Sequence, residues 1–67
     1  MNNRIRELRS QSNMTQEQLA EFVGVSRQSI IAIENQRYNP SLELAYKISK
    51  VFCKSIEEVF IFDGEAE

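Results

Sequence analysis

The segment GVSRQSIIAIEN, residues 24–35, carries the side chains of this chain best suited to chemistry. Arg27 and Gln28 follow Ser26, a residue type that starts helices by accepting a free backbone N–H. On a helical wheel with Arg27 at the origin and about 100° per residue, Ile31 falls at about 40°, Gln28 at about 100° and Ala32 at about 140°. Ile33 and Ile30 fall on the other side, at about 240° and about 300°. One face is therefore apolar, and the opposite face carries Arg27, Ile31, Gln28 and Ala32. The arginine fork matches the two acceptors of a guanine edge, and a glutamine amide both donates and accepts as an adenine edge requires. Ile31 or Ala32 could meet a thymine methyl. The same face also fits an ordinary solvated helix surface with one stray isoleucine, and these residues alone leave both readings open.

The elements that must position this face are legible from capping and periodicity. Ile5 and Leu8, one turn apart among Arg4, Arg6 and Arg9, predict a short helix over 3–11, broken by Ser12, Asn13 and Met14. In MTQEQL, Thr15 and Gln18 have capping-box spacing, and Met14 with Leu19 fits a hydrophobic staple. The helix they open reaches Val23, and Gly24 suits the left-handed residue that ends it. Only Val25 then precedes Ser26, so the helix at 27–35 follows across a joint short enough for a helix-turn-helix. Pro40 marks a loop, and Ser41 caps a fourth helix with a stripe of Leu44, Ala45, Ile48, Val51 and Phe52. Ser55 and Glu58 form a second capping box before a short fifth helix. The expected architecture is a compact all-α five-helix bundle.

Composition bounds what this bundle can do. The chain has 67 residues, 42% of them apolar, one cysteine and no histidine. Neither an internal disulfide nor a His/Cys metal site is expected, and no cofactor. The polar N-terminus and the lack of a long apolar run predict no signal peptide, no membrane span and a cytoplasmic location. Net charge is −2, yet residues 1–56 hold eight bases and five acids, a net of +3, while residues 57–67 hold five acids and no base. The body is thus mildly basic and the tail acidic. With no histidine, no phosphate-binding glycine loop and no nucleophile beside a base, an enzyme is not expected.

From Gln16 to Asn35, QEQLAEFVGVSRQSIIAIEN resembles the helix-turn-helix of the lambda repressor/Cro-like (XRE) transcriptional regulators. Small Ala20 stands where the two helices approach, Gly24 in the turn, and Leu19, Val23, Val25, Ile30 and Ile33 at buried positions. RIRELR, MTQEQLA and YNPSLELAYKIS extend the likeness over roughly residues 3–60, and residues 1–60 are the expected DNA-binding domain. The resemblance implies that Arg27 and Gln28 read bases, with Ile31 and Ala32 supplementary. It implies backbone contacts from Gln16, Ser26, Asn35, Arg37, Tyr38 and Asn39. Gln36 and Cys53 stand where such proteins often have glycine, so both helix ends must tolerate left-handed strain or close differently.

Residues 61–67 are read as a short extension that includes the acidic tail. Phe60, Ile61 and Phe62 are bulky and β-favouring, and hard to bury together in so small a body. They are expected to form a strand that pairs antiparallel with its twin across a two-fold axis; the competing arrangement folds the arm over its own chain. Of Arg4, Arg6 and Arg9, at least one is expected to pair with a carboxylate such as Glu7 or Glu43. Cys53 is read as a small thiol at a helix end, not a redox switch. The functional expectation is a homodimeric repressor on palindromic double-stranded DNA, with no small-molecule ligand. The alternative is a protein-interaction module, such as an antitoxin-like partner with secondary DNA binding.

Overall fold

The computed structural model describes residues 1–62. Its elements run β1 (Asn2–Asn3), α1 (Ile5–Gln11), α2 (Gln16–Val23), α3 (Arg27–Glu34), α4 (Leu42–Val51), α5 (Ile56–Val59) and β2 (Phe60–Ile61). Five helices stand where caps and apolar spacing predict them, and the capping hydroxyls account for four of their starts. Thr15 Oγ accepts from Gln18 N at 3.0 Å while Thr15 N donates to Gln18 Oε1 at 2.9 Å, closing the reciprocal box. Ser55 and Glu58 do the same at α5. Ser26 Oγ accepts from Ser29 N at 3.2 Å and Ser41 Oγ from Leu44 N at 3.1 Å.

The helix ends share a second device. Asn13, Gly24, Gln36 and Cys53 all have φ between 55° and 77°. The N–H of the residue after each one reaches back five positions: Met14 to Arg9 O, Val25 to Ala20 O, Arg37 to Ala32 O and Lys54 to Ser49 O. This 6→1 bond is the signature of a Schellman ending. Gln36 and Cys53 thus take the left-handed conformation without glycine's freedom from strain.

Ile5, Leu8, Leu19, Val23, Ile30, Ile33, Ile48, Val59 and Phe60 are the larger members of one buried core, with Met14, Val25, Val51, Phe52 and Ile56 packed at its edge. Every helix contributes, so no helix pair could bury its apolar stripe alone. No helix among the described residues is long and apolar enough to cross a membrane.

The C-terminal strand departs from expectation in its partner. β2 pairs antiparallel with β1 of the same chain, with Asn2 opposite Ile61 and Asn3 opposite Phe60. Phe60 is 1% exposed and belongs to the chain's own core, which removes it as a dimer-interface residue. The physical reason is local: Phe60 follows Val59 directly out of α5 and joins the same buried core as Ile5, Ile33 and Ile48. Ile61 and Phe62 remain exposed, at 41% and 60%.

Candidate nucleic-acid interface

α3 is fixed to its surroundings from both ends. At its start, the Ser26 cap and the tight Gly24–Val25 turn hold it against α2, where Leu19, Ala20 and Val23 meet Ile30 and Ile33 in the core. At its end, Asn3 Nδ2 donates to Ile33 O at 2.9 Å, while Asn3 Oδ1 accepts from Ile5 N at 3.1 Å. One asparagine of β1 thereby links the end of α3 to the start of α1.

Glu34, the last residue of α3, makes the densest polar contacts. Its side chain is 1% exposed. Arg9 grips it with both nitrogens of the fork, Nε to Oε2 at 2.6 Å and Nη2 to Oε1 at 3.1 Å. Gln16 Nε2 donates to Oε1 at 3.0 Å, and Arg6 Nε lies 3.6 Å from the same oxygen. Burial alone would raise the carboxyl pKa. The hydrogen bonds from Arg9 and Gln16 and the charges of Arg9 and Arg6 outweigh it and hold Glu34 below the ordinary carboxylate value. Because α1, α2 and α3 each supply a member, the group locks the angle between three helices. At least one of Arg4, Arg6 and Arg9 was expected to find a carboxylate such as Glu7 or Glu43, and Arg9 finds Glu34. Arg4 takes Glu7, and Lys47 takes Glu43. The signal for Glu34 was on the wheel: at about 340° it borders the apolar stripe, an odd place for an unpartnered carboxylate.

Of the residues proposed to read bases, Arg27 and Gln28 are exposed, while Ile31 and Ala32 are half-buried. Neither Arg27 nor Gln28 is drawn into an ion pair among the described residues. The face is therefore polar at the helix start and flatter toward its middle, where two smaller apolar surfaces follow. Among the residues proposed for backbone contacts, Ser26 is committed to its cap. Gln16 gives one amide donor to Glu34 and keeps its other N–H and its oxygen. Asn35 Oδ1 accepts from Arg6 Nη2 at 3.1 Å, and Asn39 Oδ1 from the N-terminal ammonium at 3.4 Å. Arg37, Tyr38 and Asn39 are exposed on the loop after α3.

Comparison with known proteins adds to this geometry. The helix-turn-helix family model matches residues 5–59. An HTH-type transcriptional regulator of Archaeoglobus fulgidus is 57% identical over 97% of this chain and 92% of its own length. Two solved structures, each 31% identical with a TM-score of 0.76, have the same fold. The restriction-modification controller protein C.AhdI from Aeromonas hydrophila covers 82% of this chain, which spans 83% of it. The DNA-binding domain of the P22 C2 repressor covers 81%, with 71% of that chain spanned. The capped α2–turn–α3 pair, its Glu34 brace and these likenesses together make the chain a member of the lambda repressor/Cro-like (XRE-type) helix-turn-helix family of transcriptional regulators.

Proposed function

We propose that the protein binds double-stranded DNA sequence-specifically as a homodimer and represses transcription by occupying a palindromic operator. The observation that carries this reading is the exposure of Arg27 and Gln28 at the capped start of an α3 whose other face is in the core. A helix held by its back can enter the major groove as a rigid body, with its N-terminal side chains against base edges. Arg27 and Gln28 then read bases, and Ile31 and Ala32 pack against the groove floor. Gln16, Asn35, Arg37, Tyr38 and Asn39 hold the sugar-phosphate backbone, which sets orientation without carrying sequence information. Ser26 contributes through the unpaired N–H groups its cap leaves at the helix start.

Two copies place two α3 helices about 34 Å apart, one turn of the duplex. Repression follows from occlusion of a promoter by the bound copies. The test is selection from random duplexes followed by binding to the enriched site. Gln28→Ala is expected to lose ~1–3 kcal/mol at one base step and relax preference there, whereas Arg37→Ala weakens all sequences alike and lowers the salt dependence. Unchanged base preference in Gln28→Ala would remove α3 from the role of reader.

A further inference from the structure

Three arginines lie at or within α1, and the structure ties them down unequally. Arg4 has partners for all three guanidinium nitrogens: Glu7 for Nε and Nη2, and Glu58 O for Nη1. Arg9, nearly buried, is likewise engaged at all three, by both Glu34 oxygens and by Met14 O. Arg6 differs. Its side chain is 68% exposed, with Nε 3.6 Å from Glu34 Oε1. Nη2 donates to Asn35 Oδ1 at 3.1 Å. Nη1, which carries two N–H groups, has no partner among the described residues.

Charge makes the same distinction. Glu34 holds one negative charge, and Arg9, bonded to both its oxygens, is the counter-ion. Arg6 is then the surplus cation of the cluster, on its exposed side. It stands where the carbonyl end of α3 would otherwise turn partial negative charge toward an approaching anion. Its bond to Asn35 also decides which half of that amide is available. With Oδ1 held by Arg6, the NH2 group is left to meet a partner, and NH2 only donates. Gln16 Nε2 sits 3.0 Å from the same Glu34 oxygen that Arg6 Nε approaches. Those two nitrogens are therefore no further apart than the two distances laid end to end. One small surface thus gathers N–H donors from α1, α2 and the end of α3, and its excess charge is positive. An acceptor-only anion fits it.

We infer that Arg6 is a further residue that holds the DNA backbone. Its Nη1 donates to a phosphate oxygen, while its Nη2 keeps the Asn35 amide turned with NH2 toward the duplex. Arg6 is both a contact and a positioning residue, supplied by α1 from outside the α2–turn–α3 pair. The inference rests on the DNA-binding reading above and adds one cation to it.

Salt-dependent binding of the full chain tests it, with the duplex enriched by selection and a scrambled duplex as probes. Urea unfolding verifies that each variant folds. Arg6→Gln is expected to lower the slope of log K against log salt by about 0.9 per bound copy, so its deficit is about eightfold larger in ~0.1 M than in ~1 M salt. Both duplexes lose alike, because a phosphate contact carries no sequence information. Arg6→Lys keeps the charge and is expected to restore the slope; a merely structural role would move the urea midpoint and leave the slope alone. Asn35→Ala is expected to weaken the unaltered chain at least about twofold more than it weakens Arg6→Gln, whose amide is already unheld. Additive losses would overturn the positioning role. If Arg37→Ala lowers the slope and Arg6→Gln does not, the phosphate contact falls while the DNA-binding reading stands. If the unaltered chain binds neither duplex even in low salt, both fall.

Discussion

Glu34 is the side chain on which the mutual placement of α1, α2 and α3 depends. A buried carboxylate gripped by Arg9 and Gln16 is costly to disturb, because removing one charge leaves the other desolvated and unmatched. Glu34→Gln preserves the shape and deletes the charge, and is expected to cost about 3 kcal/mol in urea unfolding at neutral pH. The sign of the pH effect follows from the lowered carboxyl pKa. With a folded value below the ordinary 4.5, the stabilisation is complete above that pH and is lost as pH falls through the folded value. Glu7, beside Arg4, and Glu58, which accepts hydrogen bonds from Ser55, are lowered too and act in the same direction. Unfolding measured from pH 7 down to acid should therefore show a steeper loss for the unaltered chain than for Glu34→Gln, with a residual slope in both. The sequence pointed to arginine–carboxylate pairing but did not name Glu34 as the partner of Arg9. Partners separated by 25 positions in the chain carry no local spacing signal, whereas Arg27 and Gln28 stood out because a single helix face displays them.

The helices were the most legible scale, since a cap is a contact between residues three apart and needs no tertiary information. Thr15, Ser26, Ser41 and Ser55 all cap as expected. Helix ends were harder: glycine announces a left-handed ending at Gly24, but Gln36 and Cys53 adopt the same conformation against their own preference. Surrounding structure imposes it, through the 6→1 bonds of Arg37 and Lys54. Gln36→Gly and Cys53→Gly are each expected to stabilise the fold by roughly 0.5–1 kcal/mol, the strain relieved less the added chain entropy. Asn13→Gly, at a residue type that tolerates this region, should change stability by less than about 0.5 kcal/mol. Thermal or urea unfolding of the three variants checks the order.

At the scale of the whole molecule, the bundle was read correctly and the strand was assigned to the wrong partner. Bulky, β-favouring residues announce that Phe60 and Ile61 are extended, but nothing in them says whose edge they join. The matching strand is only Asn2–Asn3, two polar residues without any β signature. Arg4 reinforces the closure: its N–H donates to Val59 O at 2.8 Å and its guanidinium to Glu58 O at 3.1 Å. Phe60→Ala is expected to cost about 3–5 kcal/mol. That is a large share of the few kcal/mol available to a domain of this size, and the variant should be substantially unfolded at 37 °C by circular dichroism. Phe62→Ala, at an exposed site, should leave the monomer folded. The β1–β2 pairing makes the backbone a nearly closed ring, its first residues waiting for almost the entire chain to be synthesised before they find their mates. Until Val59 and Phe60 dock, the helices have an open seam in their interior. The packing of α1, α2 and α3 is therefore secured only when the circle is shut.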